Sequence, residues 1–313
     1  MNQQEKKKSF GGKIVCGVAL TLIILGLTLI IGSVMAGANF FDIRNKEILF
    51  VTTGNSEKIY FSDMEELSAT KTEDIKRIVL DIDAAEVKVR PGAEFSLSDR
   101  NLKNGVSGDT WYIGSNEKRF YILGHSVPIV SRFFYQDSHT ITIPRGADLE
   151  EIEFSVGVGE IDIDELAAKK ITLNVDAGEL KAEKIEADTS ELSVHAGELK
   201  IDELLSGAET KLSVDVGELN IKGGSIGGIE AKCNIGELNF TGEITGNGTV
   251  KCDVGEVNMK IWGNPADFDI NTKHGIGSVN VKDSNRTSGQ GSGKERCKLF
   301  LETDIGDINV KFK

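Results

Sequence analysis

With 313 residues, 39% of them apolar, the chain is long enough to bury a core of domain size, which excludes global disorder. Its 36 basic against 49 acidic residues give a net charge of −13, which excludes a general phosphate-binding surface and with it nucleic acid as a partner. Thirty-five glycines beside four prolines suit tight turns in a regular architecture, and the four cysteines and four histidines show no spacing that supports a disulfide framework or a zinc site.

The chain opens with a basic stub over 1–13, in which Lys6, Lys7, Lys8 and Lys13 face only Glu5. From Ile14 to Ala38 no charge occurs, and a helix of that length would measure roughly 37 Å against a hydrocarbon core of about 30 Å. The charges that follow, from Asp42 to Glu47, are nearly balanced, so the expected topology is a single-pass signal anchor in the plasma membrane with a cytoplasmic amino terminus and an extracellular remainder. Ala36-Gly37-Ala38 offers a cleavage site as the alternative, and both readings put residues 39–313 outside. The stub carries a net +3, leaving −16 for the rest. Cys16 lies at the start of the span, where no lipoprotein signal would place it, and reads as a lipid-facing thiol.

A juxtamembrane segment over 39–77 leads to an extracytoplasmic region over 78–313. Its first unit is IDAAEVKV at Ile82 to Val89. An insertion at 91–136 then holds Trp111, Tyr112, Phe120, Tyr121, Phe133, Phe134 and Tyr135; it reads as a cap over the open end of a core, with a lateral binding surface as the alternative. The phase resumes at His139 with HTITIPRG.

Eight further copies of the unit follow, among them VGVGEIDI, VDAGELKA, VHAGELKI, VDVGELNI, CNIGELNF and CDVGEVNM. The last two, HGIGSVNV and TDIGDINV, are degenerate. Their central glycines are Gly159, Gly178, Gly197, Gly217, Gly236, Gly255, Gly277 and Gly306, separated by 19, 19, 20, 19, 19, 22 and 29 residues. Apolar residues alternate as a strand before each glycine, as in Leu212, Val214 and Val216, and again after it, as in Leu219 and Ile221. The phase break calls for a corner at Gly-Glu, and glycine supplies the positive φ. Two short strands about a corner cannot bury their apolar face alone, so the expected fold is all-β, a parallel β-solenoid of coils of about 19 residues, with a row of hairpins as the alternative. Val175, Val194, Val214, Cys233 and Cys252 would form one inward ladder. Leu180, Leu199, Leu219, Leu238, Val257, Val279 and Ile308 would form another.

The run ITIPRGADLEEIEFSVGVGEIDI from Ile141 to Ile163, with its many Gly-acidic copies behind an apolar segment, resembles the putative adhesin family, a domain of unknown function found in Gram-positive bacteria. The likeness covers Ile78 to Lys313 and implies a β-solenoid at the cell envelope with no agreed catalytic residues to carry over.

Stacking would place Glu160, Glu179, Glu198, Glu218, Glu237, Glu256 and Asp307 in one column. Asp176, Asp215, Asp253 and Asp304 would stand beside it, interrupted by His195 and Asn234. Like charges near 5 Å apart repel, so the columns must be hydrated, partly protonated or bridged. Calcium, an oxygen-seeking cation, is the candidate bridge, and a solvated acidic edge is the plainer alternative. Asn220, Asn239, Asn258, Asn280 and Asn309 would stack outward with amides bonded along the ladder. Cys233 and Cys252 share an inward slot on adjacent coils, close enough for a disulfide, but the slot is equally a valine slot holding two thiols. Cys297 has no evident partner. His195 reads outward, His274 inward in a degenerate copy, and His125 and His139 flank the insertion; none stands by a nucleophile motif.

No catalytic residue, cofactor site or firm metal site follows, so the chain reads as a non-enzymatic adhesin or envelope-interaction protein that displays repeated weak contacts. Its expected partners are the membrane, through the apolar segment, an envelope polymer or a membrane protein, and copies of itself. The alternative is an ectodomain that senses envelope stress and acts through a membrane partner, because 13 residues before the span are too few for an output domain.

Overall fold

The computed structural model describes residues 41–43, 49–51, 58–60, 74–98, 102–115, 120–122, 125–127, 138–282 and 296–313. The apolar run 14–38 with Cys16, and Phe133, Phe134 and Tyr135, lie outside them. Among the described residues no helix is long and apolar enough to cross a membrane.

In chain order the strands are β1 (Phe41–Ile43), β2 (Leu49–Val51), β3 (Lys58–Tyr60), β4 (Arg77–Gly92), β5 (Ser96–Leu97), β6 (Leu102–Ser107), β7 (Thr110–Ser115), β8 (Phe120–Ile122), β9 (His125–Val127), β10 (Ser138–Pro144), β11 (Glu151–Ile221), β12 (Gly224–Ile226), β13 (Ile229–Ile244), β14 (Gly248–Ile261), β15 (Phe268–Ile276), β16 (Val279–Lys282) and β17 (Cys297–Phe312). Two units divide them. The first, Met1–Lys46 with Lys118–Ile129, holds an antiparallel sheet in the order β1-β8-β9, which takes up the part of the insertion that contains Phe120, Tyr121 and His125. The second unit holds a β2-β3 hairpin and a 12-stranded sheet built almost wholly of parallel pairs.

That sheet is a stack of coils in register. Glu160 lies on Glu86, Glu237 on Glu218, Glu256 on Glu237 and Asp307 on Glu256. The pairing between successive copies is parallel throughout, which overturns the alternative of a hairpin row. β11 alone carries four corners, each with its glycine set on the carbonyl of the one before. Inward residues meet their equivalents at every level: Val156, Val175, Val194, Val214, Cys233, Cys252 and Thr303 are all buried, as are Leu180, Leu199, Leu219, Leu238, Val257 and Ile308. Each coil thus covers the apolar face of its neighbour, which is how a two-strand unit with no core of its own becomes stable.

The order of the last two copies departs from the chain order expected of the ladder. β14 pairs directly with β17, and β15 and β16 pair with the other edge of β17, so the corner sequence in space is Gly255, Gly306, Gly277. The final strand of the chain is inserted beneath the copy that precedes it. His274 sits opposite Thr303 in the inward slot, yet it is exposed, because among the described residues its coil has a neighbour on one side only. His274 thus takes the inward slot expected of it, without the burial that the slot gives Thr303.

The other end is covered. β7 runs parallel to the first half of β4 and carries β6 as a hairpin partner; β10 runs parallel to the second half and carries β5. Trp111 is fully buried, with Phe95 edge-on at 5.9 Å and its Nε1 donating to Asn104 Oδ1 at 3.3 Å. On the cap side, among the described residues, no strand pairs with Ile82–Ala85, which lie between Asp81, the last residue of β4 paired with β7, and Glu86, the first paired with β10; their only partners are in β11. A Cβ is tolerated there, which explains why the first copy holds Ala85 where the others need glycine.

Candidate binding surface

The corners repeat along one face of the stack. All eight corner glycines have φ between +139° and +148°. A Cβ at Gly178, Gly197, Gly217, Gly236 or Gly255 would also collide with the carbonyl oxygen of the glycine one coil earlier, so glycine is required twice over.

The bend starts before the glycine. Pairing steps from Val214↔Cys233 to Val216↔Ile235, passing over Asp215 and Asn234. Val216 therefore turns outward, against the expectation that it continues the inward alternation with Leu212 and Val214. Its stacked equivalents share its fate: Val216 is 52% exposed, Ile235 54%, Val254 41%, Ile305 49% and Ile276 73%. Five β-branched side chains on consecutive coils, in the order 216, 235, 254, 305, 276, make an apolar ridge about 19 Å long at a coil spacing of about 4.8 Å. The ridge starts where the alanines end, since the same position holds Ala177 and Ala196 in earlier coils. The visible signal is the β-branched residue before each late glycine, and extending period 2 through the corner hides it.

Acidic columns flank the ridge. On one side stand Asp176, Asp215, Asp253 and Asp304 with His195 and Asn234 in the gaps. Asn234 Nδ2 donates to Asp215 Oδ1 at 2.9 Å, and His195 Nδ1 lies 3.5 Å from Asp176 Oδ1. On the other side the glutamates are compensated from the position two residues on. Lys181 Nζ bridges Glu179 at 2.7 Å and Glu160 at 3.0 Å, and those hydrogen bonds raise its pKa well above 10.5. Lys200 meets Glu198 at 3.2 Å and is raised in the same way. Later coils replace lysine with asparagine. Asn220 and Asn239 both donate to Glu218 Oε1 at 3.2 Å, and Asn258 donates to Glu256 Oε2 at 3.2 Å. Asn309 donates to Asn258 Oδ1 and Asn258 to Asn239 Oδ1, each at 3.0 Å, so the expected amide ladder forms, with 309 and not 280 next to 258. Asp307 accepts from the backbone and hydroxyl of Ser278, which hold its carboxyl below the ordinary value.

Among the described residues no three His, Cys, Asp or Glu side chains converge as a metal site would require. For the candidate cation column Glu179, Glu198, Glu218, Glu237, Glu256, Asp215 and Asp253, the geometry is a row of carboxylates, most engaged by a lysine or asparagine of the stack. Cys233 and Cys252 lie opposite one another as buried free thiols, not as a disulfide. Their Sγ atoms donate to the Gly217 and Gly236 carbonyls at 3.9 and 3.6 Å. The Cys252 Sγ and burial push the Cys233 thiol up. Cys297 is half-buried with its Sγ 3.9 Å from the Ile244 carbonyl, and His139 is buried opposite Val87. A shallow groove of about 920 Å³ lies elsewhere on the stack, with Glu230, Thr249, Lys251, Lys298 and Phe300 among its walls.

The family model described as Toastrack DUF4097 matches residues 75–311. No curated protein matches the sequence. Among solved structures, a putative cell adhesion protein from Clostridium sporogenes is 14% identical, with a TM-score of 0.21 and coverage of 80% of this chain and 98% of that one. A putative adhesin from Bacteroides fragilis is also 14% identical, with a TM-score of 0.40 and coverage of 77% and 94%.

Proposed function

The chain belongs to the Toastrack DUF4097 family, and from that premise we propose that it is a non-catalytic display protein that holds a repetitive surface outside the cell for contact with an envelope polymer or another cell. The observation that carries this reading is the apolar ridge Val216, Ile235, Val254, Ile305 and Ile276 between two acidic columns. Each of these five coils offers a similar small contact, and like contacts at fixed spacing bind an extended repetitive partner by their sum. Exposed aliphatic side chains in a row cost solubility, and a binding role accounts for their retention on an otherwise acidic face. The apolar run 14–38 supplies the anchor, with the basic stub inside and residues 39–313 outside.

The test is retention of the full-length protein on isolated cell walls, compared with a variant carrying Val216→Ser, Ile235→Ser, Val254→Ser, Ile276→Ser and Ile305→Ser. Retention should fall at least tenfold while the β circular dichroism is kept. Equal retention, or recovery of a stoichiometric membrane protein with no wall binding, would overturn display in favour of regulation through a partner.

A further inference from the structure

The two ends of the stack are built differently. The end at β4 is covered by two pairs of strands, whereas β15 and β16 pair with β17 on one side and, among the described residues, with nothing on the other. Among the described residues the terminal coil therefore presents a strand edge with no backbone partner, together with Ile276 and Val281, 73% and 47% exposed. We propose that this edge is a self-association surface at which β15 of one copy pairs antiparallel with β15 of a second copy about a two-fold axis through Asn271.

Charge selects the occupant. The chain is strongly acidic, and two copies repel over most of their surfaces, but Phe268–Lys282 contains one acid, Asp269, against Lys273 and Lys282. A basic partner finds little to bind there, while a second acidic copy meets its least repulsive face. The register adds complementarity. With Asn271 opposite its own equivalent, Asp269 of each copy faces Lys273 of the other, giving two cross-copy ion pairs from one symmetric operation. Asp269, Asn271 and Lys273 are all exposed, so these pairs need no rearrangement of the core. Lys273 also closes an alternating column, in which Glu302 lies between Lys251 at 3.2 Å and Lys273, and this holds its ammonium on the edge. Pairing about a two-fold axis uses the same edge of both copies and leaves neither of them open, so association through β15 stops at two and does not run into a fibre. Ile276 belongs to both surfaces, but the residues that set the register, Asp269, Asn271 and Lys273, lie outside the ridge, so their variants test this inference separately from wall binding.

The experiment is sedimentation equilibrium of the full-length protein in detergent, with oxidative cross-linking of the Asn271→Cys variant. A concentration-dependent dimer is expected, and Asn271→Cys should cross-link well beyond the unsubstituted chain. Asp269→Lys should weaken the dimer about tenfold, and the Asp269→Lys/Lys273→Asp double variant should recover it. Asn271→Cys keeps both charges, so it tests the register even if a charge variant fails to fold. A monomer at every concentration overturns the proposal, as does slow amide exchange over 268–276 in that monomer, which would mean the chain covers its own edge. A dimer indifferent to Asp269→Lys and without the cross-link, as association through 14–38 would give, overturns it equally.

Discussion

Gly217 and Gly108 both have positive φ, +141° and +63°, but their surroundings differ. A Cβ at Gly217 meets the Gly197 carbonyl, while one at Gly108 meets nothing within 4 Å. Gly217→Ala should therefore cost more than about 3 kcal/mol, and Gly108→Ala about 1 kcal/mol, read from urea midpoints. Equal costs would mean that φ alone demands glycine at the corner. The acidic column yields a second expectation at this scale. Lys181, Lys200, Asn220 and Asn258 already engage most of its carboxylates, so millimolar calcium should shift Tm by less than about 2 °C. A larger rise would assign a cation to the column. A glutamate after six of the eight corner glycines is plain in the sequence. Its compensation is not, because Lys181 reaches Glu160 across 21 residues of chain and only coil stacking brings the two together.

At the scale of the element, β17 is the only strand partner of β15 and β16 among the described residues. Truncation after Lys282 should therefore make the amides of 268–282 exchange as fast as an unfolded segment while those of 151–221 stay protected, since each coil depends on its nearest neighbours. If 268–282 stayed protected, the stacking order Gly255, Gly306, Gly277 would be wrong. The slot of Cys233 and Cys252 is a valine slot in four earlier coils, so Cys233→Val should change stability by less than about 1.5 kcal/mol. The inward ladders are legible from alternation alone. The outward turn of Val216 is not, because the corner begins at Asp215, two residues ahead of the glycine that marks it.

Over the whole molecule, ion pairs within and between coils set the pH range of stability. Burial opposes ionisation of Glu151, yet Lys170 and Arg77 hold its carboxyl below 4.5; Lys88 does the same for Glu86. Carboxyls lowered on folding contribute stability that is present above their ordinary pKa and lost as pH falls through the folded value. Lys170 and Lys181 are raised above 10.5 by their glutamates, so their contribution is present below that value and lost as pH rises through the folded one. Tm should be flat from about pH 5 to pH 10 and fall on either side. A maximum confined to acid pH would mean that relief of repulsion between the columns outweighs these pairs. What the sequence determined by itself is the coil: period-2 alternation, a glycine about every 19 residues and one acid beside it dictate two strands and a corner, because those are local constraints on backbone and burial. What only the tertiary structure decided is which coil lies on which. The copies present the same slots and are interchangeable as neighbours, so nothing in the repeat ranks Gly277 before Gly306. That choice exposes His274, buries Thr303 and leaves β15 at the open end, and it was made by packing across coils far apart in the chain.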